Sequence, residues 1–174
     1  LISENDELKR QVDELTIENT RLQQDRYELA NLRELYNLDA QYDEYDKTGA
    51  RIIARDSGNW FYSFVVNKGT DDGIAVDMNV MAGSGLVGRV VDVGPNWAKV
   101  KSIIADDSNV SAMVLSSSDN LIVSGNLKLY ASGVIEFEQL VDSKDVVVEG
   151  DKVVTSNISD KFLPGILIGY ISTI

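Results

Sequence analysis

Leucine recurs every seventh residue at the start of the chain, at Leu1, Leu8, Leu15, Leu22 and Leu29. An α-helix turns once in 3.6 residues, so a strict seven-residue repeat drifts by about 20° per heptad. Such a stripe is buried only when the helix supercoils with a second one, most simply another copy of the chain. With leucine at d, the a positions are Asn5, Val12, Asn19, Arg26 and Arg33. An Asn at a meets its own copy across a parallel pair and fixes register at a cost in stability. The spacing therefore predicts a parallel homodimer whose interface is Leu1, Asn5, Leu8, Val12, Leu15, Asn19, Leu22 and Leu29. Glu4 at g and Lys9 at the following e have the signs to pair between chains, worth about 0.2–1 kcal/mol when exposed. Arg26 and Arg33 weaken the seam. The clamp is expected in the N-terminal half, with Leu32, Leu35, Tyr36 and Leu38 turning to other partners. The rival reading is an amphipathic helix packed on its own domain, and strict heptad spacing favours the coiled coil over it. A helix running to about Asp39 makes a stalk of roughly 55–60 Å.

The polar segment 41–49, QYDEYDKTG, ends the heptads, and Gly49 breaks the helix. Short runs rich in Val and Ile follow at 51–55, 61–67, 80–82, 86–93, 98–104, 110–115, 120–124, 127–130, 133–137, 152–155 and 166–171. Gly, Asp, Asn, Ser or Pro bound them, as at Asp72-Gly73 and Gly94-Pro95-Asn96, and they read as strands. No second helix is expected. Many short strands at short intervals imply closed or sandwiched antiparallel sheets. The expected fold is mostly β. A coiled-coil helix (1–40) and a linker (41–49) precede two small antiparallel β-barrels (50–104 and 105–174), whose terminal strands could return to the first barrel.

The chain contains no histidine and no cysteine. This removes Ser-His-Asp and Cys-His catalysis, His- or thiolate-bound zinc, and disulfides. A net charge of −12, from 28 acidic and 16 basic residues, argues against a nucleic-acid partner. Residues 1–48 hold 13 of the acidic and 6 of the basic residues, so the helix is the more acidic part. No apolar run reaches the roughly 18–20 residues of a membrane span. The chain does not begin with Met and its heptads are in phase from residue 1, so we read it as a piece of a longer protein.

Other motifs carry little chemistry. Gly83-Ser84-Gly85-Leu86-Val87-Gly88 is a literal G-x-G-x-x-G, but it leads into the β run RVVDVG. A dinucleotide site needs it to open a helix, so a hairpin is the better reading. Asp71-Asp72 and Asp106-Asp107 are neighbours whose side chains diverge on a strand, and both pairs read as turns. No calcium-loop pattern surrounds them. No catalytic, metal or cofactor residue is expected. Trp60 and Phe61 form either an exposed docking anchor or, more commonly for such a pair, core packing.

An ordered set of motifs covers the whole chain. It comprises the heptad phrase Glu4-Asn5-Asp6-Glu7-Leu8, the block ARIIARDSGNWFYSFVVNKGTDDGI with its Asp72-Gly73, Gly85-Leu86-Val87-Gly88-Arg89-Val90, and Ile104-Ala105-Asp106. Gly150-Asp151-Lys152-Val153-Val154-Thr155-Ser156 and the closing segment from Phe162 through Gly165 to Gly169 complete it. The set resembles the MreC family of bacterial rod-shape-determining proteins. Two positions depart from the family pattern, Asn157 after Thr-Ser and Pro164 directly before Gly165, and both affect turn type. The resemblance implies two small barrels similar to protease barrels without a triad. It gives Asp72, Gly73, Gly85, Leu86, Val87, Gly88, Gly150, Asp151, Thr155, Ser156, Gly165 and Gly169 a structural role. It further implies a single-pass protein of the bacterial cell membrane with this portion extracytoplasmic, able to self-assemble. The implied function is a non-catalytic scaffold of peptidoglycan elongation, with class B penicillin-binding proteins, MreD, RodA and MreB as partners. Two alternatives stand beside it: a β-barrel wall hydrolase or degenerate protease, and a ligand-binding adaptor on a coiled-coil stalk. A deep apolar pocket between the barrels would favour the adaptor.

Overall fold

The computed structural model describes residues 1–55, 62–83, 85–142 and 144–174. They form two compact units, Leu1–Tyr45 and Asp46–Ile174. The first is a single helix, α1 (Ile2–Gln41). No Gly or Pro occurs before Gly49, and Leu, Glu, Arg and Gln, all good helix formers, dominate. Forty residues extend for about 60 Å. The helix passes the expected end by two residues and takes in Gln41, which the sequence reading placed in the linker. Leu38 is its one buried side chain.

Among the described residues the second unit contains ten strands in two antiparallel five-stranded sheets. The first sheet contains β1 (Ile52–Arg55), β2 (Ser63–Val66), β3 (Asn79–Ala82), β4 (Gly85–Val93) and β5 (Ala98–Ser102), in the order β1-β2-β5-β4-β3. The second contains β6 (Asn109–Val114), β7 (Asn120–Ser124), β8 (Glu136–Glu138), β9 (Lys152–Thr155) and β10 (Leu167–Tyr170), in the order β10-β9-β6-β7-β8. The mostly-β class with an N-terminal helix is thus as expected.

Burial alternates along the central strands, as a sheet with one packed face requires. On β6, Val110, Ala112 and Val114 are buried; on β5, Ala98, Val100 and Ser102 are. Val66, Val90, Ala98 and Val100 form the core of the first sheet, with Phe64, Ile74, Val80 and Val93 packed around them. In the second sheet Val110, Ala112, Leu121, Val123, Val153 and Val154 are buried, as is Ile166 just before β10.

Two expectations about strands are corrected. Residues 127–130 are a helical turn, α2 (Leu127–Tyr130), because the Asn126 side chain accepts from Lys128 N and Leu129 N and caps it. The run at 133–137 pairs only over Glu136–Glu138, against β7. The Gly83–Gly88 motif is the β3–β4 hairpin, with Gly83 at φ 63° and Gly85 opening β4, so its context is not that of a dinucleotide site.

Candidate functional site

Two features stand out, one in each unit. On α1 the predicted seam lies bare. Leu8, Val12, Leu15, Leu22 and Leu29 are all about half exposed or more, and Leu1 is almost fully exposed. Leu32, Leu35 and Tyr36 are exposed as well. The ion pairs of the helix lie off this stripe. Arg10 at an f position binds Glu7 and Glu14, both at c, its NH1 lying 3.0 Å from the Glu14 Oε1. The Arg10 guanidinium holds the Glu7 carboxyl below its ordinary range. These ion pairs form within one helix and leave the leucines of the d positions exposed.

In the β unit most of the family-motif residues sit where a turn or a close backbone approach gives a local reason for them. Asp72 closes a 3₁₀ turn (Thr70–Asp72) by accepting from Gly69 N at 3.1 Å, and Gly73 follows at φ 82°. Leu86 is buried, and the Val87 carbonyl accepts from Ile103 N at 2.9 Å. At Gly88 a Cβ would stand 2.2 Å from the Lys101 carbonyl oxygen, so only glycine lets β5 approach. At Gly85 a Cβ would stand 2.7 Å from the Leu167 carbonyl oxygen, where β4 meets β10 of the other sheet. Gly150 has φ 91°, and the Asp151 carboxylate accepts from Val148 N at 2.9 Å. Thr155 and Ser156 are fully buried. The Thr155 hydroxyl donates to the Leu163 carbonyl at 2.5 Å and accepts from Ile166 N at 2.8 Å. Its backbone carbonyl accepts from Gly165 N at 3.0 Å, where φ of 84° suits glycine. One threonine therefore shapes the turn that feeds the last strand. Nothing within 4 Å of Gly169 calls for glycine. Trp60 and Phe61 lie outside the described residues.

Sequence reasoning missed the cleft between the two sheets. It has a volume of about 210 Å³, and Arg89, Lys101, Lys161, Ser108, Asn109 and Phe162 are among its lining residues. Its walls are mainly polar, so the deep apolar pocket that would favour a ligand-binding adaptor is not what these residues form. Asn79 bridges the sheets beside it. Its Nδ2 donates to the Lys161 carbonyl at 2.9 Å, and its Oδ1 accepts from Leu163 N at 2.8 Å. On the opposite side Asp107 Oδ2 lies 2.7 Å from Lys101 Nζ. Lys101 and a hydrogen bond from Tyr62 hold the Asp107 carboxyl below the usual range, and the same bond pushes the Tyr62 phenol up. The signal for the cleft was the polar or charged phase of three strands, at Asn79, Arg89 and Lys101. It can be read only once the pairing is known.

No cluster of three or more metal-ligating side chains occurs among the described residues. The chain thus joins a helix with an exposed heptad stripe to a β unit braced by hydrogen-bonded turns. The model of the family described as "Rod shape-determining protein MreC, barrel core" matches residues 52–174. The chain belongs to the MreC family, which places it among cell-shape-determining proteins rather than enzymes. The cell shape-determining protein MreC of Listeria monocytogenes is 33% identical over 177 residues, covering 99% of this chain and 58% of that protein. A solved structure described as MreC superposes with a TM-score of 0.72 at 28% identity, covering 85% of this chain and 81% of that one. A third match, to a complex between a penicillin-binding protein (PBP2) and MreC from Helicobacter pylori, has a TM-score of 0.58 at 16% identity. It covers 72% of this chain and 76% of that one, and carries the likeness of fold alone. The chain spans about two-fifths to three-fifths of the length of the curated relatives it matches.

Proposed function

We propose that this chain is the extracytoplasmic part of a non-catalytic scaffold that maintains bacterial cell shape by organising peptidoglycan elongation. The single observation that carries the reading is the leucine stripe left bare on a 40-residue helix joined to a β unit of this family. Two copies pair in parallel through Leu1, Asn5, Leu8, Val12, Leu15, Asn19, Leu22 and Leu29. No helix among the described residues is long and apolar enough to cross a membrane, and in this reading a single-pass anchor belongs to a segment outside them. A class B penicillin-binding protein is the first partner to test, since the Helicobacter pylori relative was solved in complex with PBP2. The resemblance adds MreD, RodA and MreB. The mechanism is effective concentration: a dimer that holds one synthase near its co-workers raises encounter rates without chemistry of its own. Residues 50–104 and 105–174 act as two barrel regions presenting the binding surfaces, with the Gly, Asp, Thr and Ser motifs as bracing.

Sedimentation equilibrium at tens of micromolar tests the dimer, and a purely monomeric chain would remove that part of the reading. Photoreactive residues placed along both sheets in growing cells test the partners. Crosslinks to a penicillin-binding protein support the scaffold, and crosslinks only to unrelated proteins count against it.

A further inference from the structure

One face of the first sheet breaks a rule of sheet chemistry. Arg89 on β4 and Lys101 on β5 stand directly opposite each other in the register. Directly opposed residues share a face, and like charges there are destabilising. Neither faces the apolar core, which is built from the alternate residues Val90 and Val100. Asn79 continues the row on β3 opposite Arg89. The row looks across the cleft at residues 159–162, where Lys161 adds a third cation. A local contradiction of this kind needs a compensating gain, and such sites are often functional.

Each of the two opposed cations has a carboxylate of its own. Asp77 Oδ1 lies 2.8 Å from Arg89 NH1, and Asp107 Oδ2 lies 2.7 Å from Lys101 Nζ. Among the described residues no carboxylate pairs with Lys161, so the cleft retains one positive charge in a chain of net charge −12. One neutral group beside it is set to donate. The Ser159 oxygen accepts from Lys161 N at 3.2 Å, which leaves its proton. Phe162 and Ile103 supply an apolar wall.

We propose that this cleft binds one carboxylate presented by a peptide, either an Asp or Glu side chain or a C-terminus, with Lys161 as its main charge partner. A single residual charge matches a monoanion, and the two neighbouring cations each hold a carboxylate already. The apolar wall suits the methylene stem that joins a carboxylate to a peptide. The inference goes beyond the scaffold reading and needs neither the dimer nor any named partner.

Amide-shift NMR titration of the whole chain tests it with four probes: Ac-Gly-Glu-Gly-NH₂, Ac-Gly-Gly-Gly with a free C-terminus, Ac-Gly-Gln-Gly-NH₂ and inorganic phosphate. Saturable shifts at Asn109, Ser159 and Lys161 are expected with one or both carboxylate peptides and absent with the Gln peptide. The two carboxylate arms separate a side-chain source from a terminal one. Lys161→Ala should weaken binding about tenfold, as the loss of a charge-assisted hydrogen bond implies, and Lys161→Arg should restore most of it. Equal shifts with the Gln peptide, tighter binding of phosphate than of either carboxylate, no saturable shift with any probe, or undiminished binding by the Ala variant would each overturn the proposal.

Discussion

The side-chain amide of Asn79, on an edge strand of the first sheet, accepts a hydrogen bond from Leu163 N at 2.8 Å and donates one to the Lys161 carbonyl at 2.9 Å. It treats the closing segment of the second sheet as if it were a neighbouring strand. Replacing it by alanine removes both bonds, at a cost of about 1–2 kcal/mol. Asn79→Ala should lower the melting temperature by roughly 3–8 °C. Asn79→Asp keeps the acceptor and loses the donor, so it should fall between the two. An unchanged thermal transition in the alanine variant would mean that the two sheets are held together without this clamp.

Thr155 is fully buried and its hydroxyl serves two backbone groups, the Leu163 carbonyl and Ile166 N. Thr155→Val preserves shape but strands a buried N–H, which costs about 1–3 kcal/mol. Thr155→Ser retains the hydroxyl and should recover most of that loss. Urea unfolding of the two variants side by side separates the hydroxyl from the methyl, and equal midpoints would contradict the hydrogen-bond account.

Asn5 and Asn19 occupy a positions of the proposed seam, where Asn gives up stability for register and strand number. Changing both to Ile should raise the melting temperature of the helical unit and broaden the oligomers seen by sedimentation. A variant with the parent's mass and melting curve would show that the heptad phase has been misassigned.

Asp107 links pH to stability. Lys101 and Tyr62 depress its folded pKa. Its contribution is therefore complete above the ordinary, unfolded carboxylate value and is lost as pH falls through the depressed folded one. Tyr62 behaves oppositely. Its folded pKa is raised, first by the bond to Asp107, so its contribution is complete below the ordinary tyrosine value and is lost as pH rises through the raised one. Stability measured against pH should fall at both ends, and Asp107→Asn should flatten the acid limb and part of the alkaline one. Because Asp107 is more than half exposed, salt should weaken the acid effect. An acid limb of the same depth in the Asn variant would assign it to other carboxylates.

Most of the fold was legible in the chain because its signals are local. The seven-residue leucine period, the glycine-free first 48 residues and the break at Gly49 mark a helix within a turn of its observed end. The Val/Ile runs bounded by turn residues mark the strands, and β7 and β9 fall on their expected residues. The misplaced strand at 127–130 shows the limit of propensity. Leu and Tyr suit either state, and the capping oxygen of Asn126 decided for a helix.

The sequence by itself therefore determined the helix, its bare stripe, the β character of the rest and the exclusion of histidine- and cysteine-based chemistry. These depend on composition or on spacings of seven residues or fewer. Only the tertiary structure decided that Arg89 and Lys101 stand side by side, that Lys161 faces them, and that Asn79 reaches residues 82 and 84 positions away. Strand register sets those meetings, and register arises from the pairing of whole strands across the sheet. No periodicity within one segment records which segment will lie beside it.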